Sequence, residues 1–410
     1  MLRNSRFGAI FRQWGGGTAS LFTYTHLSHD LCCGLLTALL PLVKEGLGLT
    51  YLQSGLLLSA YTITSGLSQV LGGWLGDRLR RSIVIAVGLG GVGLATFAVG
   101  LSPSYYPMLF ILIIMGILAG GYHPSAVTML SGYFEESRRG RVIALHMVGG
   151  SVGFSMGPLL GGLIAEALGW RFAFIILSFP ALLAVPLILK KFTFIEKAAG
   201  IMSLRQTSGK ESGQIQTVAR RVNVIQALRP IATILFLCVS MQLIAGIAMS
   251  FVPLYLVDKH GVTPVLAAVL VGILRFGGIA GSLIGGWLSD RWDRKRAIFL
   301  SLVATGPVLY LLTILPYNAG LVAILIVFGM FRYMTQATMQ PYVLDSVPPH
   351  LRATAFGIYF GLALEGQSLL QPVAGHFMDI YGISSIFIVI ALISVGLSLV
   401  TLLLAKRAQK

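Results

Sequence analysis

The sequence predicts an all-α polytopic membrane protein, with twelve transmembrane helices in two six-helix bundles related as parallel repeats. Three observations predict it: a shortage of charge, apolar runs of membrane-spanning length from end to end, and a pattern that returns after 213 residues.

The charge shortage sets the class. Of 410 residues, 56% are hydrophobic and 11% charged, and the mean hydropathy is +0.84. A soluble domain carries about 25% charged residues, so this chain cannot cover a water-facing surface and is expected to sit in a lipid bilayer. About 20 apolar residues cross roughly 30 Å of hydrocarbon as a helix, and helices are required because lipid offers the backbone no hydrogen-bond partner. Such runs fall at 21–44, 52–75, 82–101, 106–131, 142–165, 171–190, 230–256, 264–288, 297–315, 320–344, 354–378 and 383–405. One long polar stretch, 191–229, rich in Gly, Ser, Gln and mixed charge, reads as a linker. It divides the chain into an N-terminal bundle, 1–190, and a C-terminal bundle, 230–410.

The net charge of +16 is a topology signal. With the N-terminus inside, one side collects Arg3, Arg6, Arg12, Arg78, Arg80, Arg81, Arg138, Arg139, Arg141, Arg291, Arg294, Lys295, Arg296, Arg352, the linker and the tail, whereas the other holds little beyond Lys44, Arg171 and Lys259. Positive residues favour the cytoplasmic side, which puts both termini in the cytoplasm of a cell membrane, the inner membrane if the source is bacterial. Without aromatic-interleaved basic stretches, nucleic acid is not an expected partner. Cys32, Cys33 and Cys238 lie inside predicted spans with neither zinc-site nor disulfide spacing. The first 20 residues lack the short apolar core and small-residue cleavage site of a signal peptide.

The repeat is carried by two loops. "GGWLGDRLRRS" from Gly72 is matched by "GGWLSDRWDRKR" from Gly285, so Gly73, Asp77 and Arg78 return as Gly286, Asp290 and Arg291. The same offset pairs Pro103 with Pro316, Gly116 with Gly329 and Arg139 with Arg352. Six spans per half keep the halves in one orientation, as in carriers whose bundles rock about a central site. Glycines allow close helix approach. Asp77 and Asp290 are expected to reach the positive end of an adjacent helix, a contact that can break and re-form during rocking.

This loop, at both positions, resembles the G-x-x-x-D-R-x-G-[RK]-[RK] signature of the major facilitator superfamily, with Arg80 and Asp293 in place of its second glycine. The resemblance covers nearly the whole chain and implies the major facilitator fold. "GFSMGPLLGG", with Gly153, Gly157, Pro158, Gly161 and Gly162, resembles the pattern associated with antiporters of that superfamily. "THLSHDLCCGLLTALLPLV" from Thr25, "GYHPSA" from Gly121 and "GRVIALHMVGGSVGFSMGPLL" from Gly140 resemble fosmidomycin-resistance-type exporters, which implies drug efflux.

Charges inside the spans suggest the chemistry. His26, Asp30, Cys33 and Thr37 form an i, i+4, i+7, i+11 stripe with His29 at its edge, and His123 and His146 sit in the same half of the membrane. Ionisable groups there are costly unless paired or wet, and often relay protons; histidine titrates near pH 6.5 when unperturbed. The second half is expected to read the substrate. Arg332, Gln336 and Gln340 form an i, i+4, i+8 stripe, Arg275 and Glu365 fall near span centres, and Gln242 joins them as a candidate. Two arginines against one carboxylate favour an anionic group.

The expected function is secondary active transport: a proton-coupled antiporter that exports a small anionic or amphiphilic organic molecule by alternating access, acting as a monomer and needing no cofactor. The alternative is a uniporter, or an exporter of a metal ion or metallophore that uses the His/Asp cluster as donors; no resident metal site is assigned. An enzyme is not expected, since the sequence contains no P-loop or HExxH motif.

Overall fold

A computed structural model describes residues 16–198, 229–348, 355, 358–359 and 361–407. The described chain is helical without strands. In order, α1 is Gly16–Cys33, α2 Leu35–Leu47, α3 Tyr51–Arg78, α4 Arg81–Leu101, α5 Tyr105–Ala119, α6 Tyr122–Tyr133, α7 Glu136–Leu168 and α8 Trp170–Ala198. The second half contributes α9 Ala232–His260, α10 Pro264–Arg291, α11 Arg294–Ile314, α12 Ala319–Asp345, α13 Gly366–Tyr381 and α14 Ile383–Arg407.

By length and apolarity, 10 described segments can cross a membrane, α1–α2 and α5–α6 each counting as one. The two other predicted spans fall on α3, diluted by glycine, serine and threonine, and on Gly361–Tyr381, which opens with a π-helical turn.

The 213-residue offset extends from the loops to the backbone. It carries the ends of α3 onto those of α10 and the ends of α4 onto those of α11. It also pairs four of the five described glycines in the left-handed region, Gly48 (φ 62°) with Gly261 (φ 65°) and Gly169 (φ 90°) with Gly382 (φ 80°). At these four helix ends, a side chain would meet the steric cost that glycine avoids. At two helix starts in the second half, a side chain caps the backbone: Thr263 accepts from Leu266 N at 3.2 Å, and Asn318 from Gly320 N at 2.8 Å.

Three predicted elements differ in detail. The first span is not one helix: it breaks at Gly34, so Thr37 lies on α2, beyond the break from His26, Asp30 and Cys33. Glycine is among the weakest helix formers. The fourth span breaks at Gly120–Gly121, ahead of Pro124, which cannot donate to the carbonyl of residue 120. Its counterpart α12 has Ala337 there and runs unbroken. The polar stretch from 191 begins as the last turns of α8; residues 199–228 lie outside the described residues.

The helices pack as two compact units, residues 1–35 with 60–219 and residues 36–59 with 220–410. In the first unit, Phe22 of α1 stacks on Phe192 of α8 at 4.1 Å between ring centroids. The second unit buries Cys238, Met241, Ile298, Leu302 and Tyr359 in one cluster, and Tyr255 stacks on Phe387 at 4.0 Å. Its hairpin 36–59 is fastened by Asp379, whose two oxygens accept from Tyr51 N at 2.8 Å and Leu52 N at 2.9 Å. The Tyr51 hydroxyl donates to Asp258, and the Ser59 hydroxyl donates to the carbonyl of Ser368.

Candidate functional site

In the first unit, five predicted residues converge. His29 and Asp30 are neighbours on α1, and His29 Nδ1 lies 2.7 Å from Asp30 Oδ1. One turn earlier, His26 Nε2 lies 3.3 Å from Asp30 Oδ2. His123 of α6 brings Nε2 to 3.9 Å from Asp30 Oδ1. His146 of α7 stacks on His26, with centroids 4.2 Å apart. His26, His29 and His146 are buried, while the Asp30 and His123 side chains keep 20% and 36% of their exposure. Asp30 and His123 are therefore the least enclosed members of the cluster.

Hydrogen-bond direction assigns several of the cluster's protons. His26 Nδ1 lies 2.9 Å from the carbonyl of His146, and His146 Nδ1 lies 2.9 Å from the carbonyl of Phe22. A carbonyl only accepts, so both Nδ1 atoms carry hydrogen. With Nδ1 protonated, His26 Nε2 is the nitrogen left to titrate against Asp30, whose Oδ2 it faces at 3.3 Å. His29 Nδ1 donates to the same carboxylate, while the Nε2 atoms of His29 and His146 are buried without a partner.

Local packing builds this geometry. α1 and α7 meet along Gly149, Gly150, Gly153 and Gly157, and the His26 ring lies flat against Gly150, where any Cβ would overlap it. Gly153 and Gly157 of the predicted antiporter-type motif thus bring α7 against Leu27 and Leu31; Pro158 follows inside α7, and Gly161 and Gly162 are buried beyond it. Tyr122 stacks on His29 at 4.6 Å and shares a 2.8 Å hydrogen bond with Thr25. The Tyr61 hydroxyl donates to Cys33 Sγ at 2.9 Å. Donor atoms of His26, Asp30 and His123, and of His29, Asp30 and Cys33, form two groups within 4.8 Å that could hold a metal ion. Mutual hydrogen bonding already accounts for much of that spacing.

The second unit holds the cationic counterpart. Arg332 on α12 and Arg275 on α10 are buried, with 7% and 4% exposure. Arg332 Nη2 donates to Gln367 Oε1 at 3.4 Å, and its Nε and Nη1 have no partner. Tyr359 stands beside Arg332, Gln242 and Cys238. Gln336 and Gln340 are half-buried farther along α12. Glu365 closes the π-helical turn, and its side chain lies outside the described residues. By the 213-residue offset, Gln242 corresponds to His29 and Tyr359 to His146, so both halves place polar side chains at the same positions.

The paired loops repeat a contact. Arg78 lies over the Trp74 ring at 3.9 Å, and Arg291 over Trp287 at 5.2 Å. Asp77 meets Arg81, one turn on, at 3.3 Å, so its partner is in its own loop. In the second copy, the α11 N-terminus is capped by Asp293, whose Oδ1 accepts from Lys295 N at 3.1 Å, while Asp290 is exposed. The residue replacing the second signature glycine thus provides the helix-end contact expected of Asp290. Gly73 lies near Pro124, and nothing crowds Gly286.

Comparison with known proteins shows the family. The profile of the Major Facilitator Superfamily matches residues 23–364. The chain belongs to that superfamily. It is 25% identical over 368 residues to the fosmidomycin resistance protein of Escherichia coli, covering 88% of this chain and 87% of that protein. It is 23% identical over 346 residues to the cis,cis-muconate transport protein of Acinetobacter baylyi, covering 83% and 82%. In fold, it matches a bacterial homologue of the human lysosomal transporter Spinster with a TM-score of 0.77 at 15% identity, over 95% and 96% of the two chains.

As a Major Facilitator Superfamily member, the chain is a multi-pass membrane transporter of small molecules, not an enzyme. Sequence reasoning missed four residues of this transporter's two clusters: Tyr122, Gly150, Tyr359 and Gln367. The repeat offset held a usable signal for Tyr359, since it returns His146 at that position.

Proposed function

We propose that this transporter is a proton-coupled antiporter that exports a small anionic or amphiphilic organic molecule by alternating access, as a monomer with both termini in the cytoplasm. The observation that carries the reading is the 3.3 Å approach of His26 Nε2 to Asp30 Oδ2, a titratable pair whose carboxylate keeps partial exposure. A single transferable proton inside an apolar bundle is what coupling to a proton gradient requires. His29 supplies a fixed donor to the same carboxylate, and His123 stands at the exposed edge as the next acceptor.

The anionic class is supported by the buried Arg332 and by the names of two relatives, one a fosmidomycin resistance protein and one a transporter of cis,cis-muconate. Export is supported by the first of these. The topology rests on the distribution of Arg and Lys between the two sides.

The test is transport by the full-length protein in proteoliposomes with an imposed proton gradient and an internal pH dye. Substrate-dependent proton movement, lost in Asp30→Asn, is expected. Substrate movement indifferent to the gradient would replace the antiporter with a uniporter. Transport that requires added Zn²⁺ and disappears with His26→Gln would make the cluster a metal path.

A further inference from the structure

We infer that Arg332, Tyr359 and Gln242 form an enclosed subsite for one compact oxyanion group of the transported molecule (a carboxylate, sulfonate or phosphonate), with Gln367 as the side chain that yields its place. The inference rests on the anionic reading above and names the atoms and the group that reading leaves open.

Unmet donors are the starting point. Buried polar groups are almost always hydrogen-bonded, and an unpaired one costs about 1–3 kcal/mol. Two unpartnered nitrogens belong to Arg332, Nε and Nη1, and beside them the Gln242 amide and the Tyr359 hydroxyl meet each other, with Cys238 next to Tyr359. All three residues are buried, and they come from different stretches of chain: α12, α9 and the segment before α13. Tyr359 joins them, standing beside both Gln242 and Arg332. Among the described residues, no carboxylate lies within ion-pair distance of Arg332.

These donors define the chemistry of the group that would satisfy them. Guanidinium and amide nitrogens donate, and a phenolic hydroxyl donates readily to an anion. A group facing these atoms must accept several hydrogen bonds at once and carry negative charge to offset Arg332. Oxyanions meet both needs, and the planar fork of arginine suits them in bidentate fashion. A neutral amide satisfies neither the charge nor the number of donors.

Gln367 already fills part of this role. Its Oε1 accepts from Arg332 Nη2 at 3.4 Å, a long bond to a charged donor. Its amide lies pressed against Gly246, where no side chain competes for the space. Displacing that single oxygen frees a complete two-nitrogen edge of the fork. The exchange replaces one weak neutral acceptor with a charged one, a gain confined to anionic ligands.

The decisive experiment is thermal unfolding of the purified full-length protein against increasing benzoate, benzamide, inorganic sulfate and cis,cis-muconate. Benzoate and benzamide have similar size and differ in charge. A saturable rise in unfolding temperature with benzoate or another anion, and none with benzamide, is expected. Arg332→Gln should abolish it, and Tyr359→Phe should weaken binding roughly tenfold, as expected for losing a hydrogen bond to a charged group. Sulfate without the carboxylates would make the group tetrahedral, and the carboxylates without sulfate would make it planar; both fit the subsite. No saturable shift with any anion overturns it, as does equal stabilisation by benzamide. If Arg332→Gln does not fold, unchanged benzoate affinity in Tyr359→Phe overturns it alone. Asp30→Asn separates the two readings: anion binding retained there with proton coupling lost supports both. Anion binding without any coupling in the unsubstituted protein defeats only the antiporter, and coupling without charge-selective binding defeats only the subsite.

Discussion

His26 and Asp30 stand one turn apart on α1, with Nε2 of the first 3.3 Å from Oδ2 of the second. On the far side of the ring, the carbonyl of His146 requires hydrogen on Nδ1. One backbone oxygen on α7 thus leaves Nε2 as the nitrogen that faces the carboxylate on α1.

Asp30→Asn should abolish uphill transport while leaving substrate exchange in place, because an amide cannot release the proton. A single charge crossing 100 mV is worth about 2.3 kcal/mol, or roughly fifty-fold in concentration ratio. Accumulation ratios in energised vesicles, with and without an uncoupler, measure this directly. Uncoupler-sensitive accumulation in the Asn variant would remove Asp30 from the pathway.

Gly150→Ala should disturb the same pair without touching a titratable group. The new methyl would overlap the His26 ring, forcing the ring or α7 to move, and overpacking of this kind costs roughly 1–3 kcal/mol. A lower unfolding temperature with a reduced proton-to-substrate ratio is expected. An unaltered ratio would mean that the position of His26 is not critical.

At the paired loops, stability and transport should separate. Asp293→Ala removes the α11 cap and should cost about 0.5–2 kcal/mol. Asp77→Asn loses only an exposed i, i+4 pair, worth at most about 0.5 kcal/mol, and should leave the protein folded and inserted while slowing transport. Thermal unfolding and initial transport rates on the same preparations distinguish them; wild-type transport in both Asp77→Asn and Asp290→Asn would confine the loops to fixing topology.

Asp379→Ala should loosen the hairpin 36–59. Both carboxylate oxygens serve the first turn of α3, and losing a cap costs about 0.5–2 kcal/mol. Faster hydrogen exchange confined to residues 44–56 is the expected signature, whereas a uniform rise across the chain would indicate general destabilisation.

Much of this is legible in the residues themselves. The stripe His26–Asp30–Cys33 shares a helical face, and one period of 3.6 residues is enough to find it. His123 and His146 can be assigned to the same membrane depth by counting, but not to contact with Asp30 and His26, because depth does not give rotation about a helix axis. The break at Gly34 is hidden in the sequence because the apolar run continues through it. Gly150 reads as one more packing glycine until the His26 ring is seen lying against it. Asp293 is visible as a departure from the signature, yet its use as a cap depends on backbone angles that a motif does not record. In the second half, Arg332 stands out by charge alone, whereas Tyr359, apolar enough to pass as filler, acquires meaning only beside the arginine.

The hairpin 36–59 has a consequence for how the chain can be divided. By sequence it belongs to the first repeat, yet Tyr51, Gly55 and Ser59 meet Asp258, Ser368, Gln371, Gly375 and Asp379 of the second. A gene cut between the repeats would yield a C-terminal fragment whose α13 exposes bare glycine backbone and an unshared carboxylate. The N-terminal fragment would carry an α3 with an open first turn. Each piece lacks surface that only the other supplies, so the fragments should accumulate together when co-expressed and be degraded when made alone.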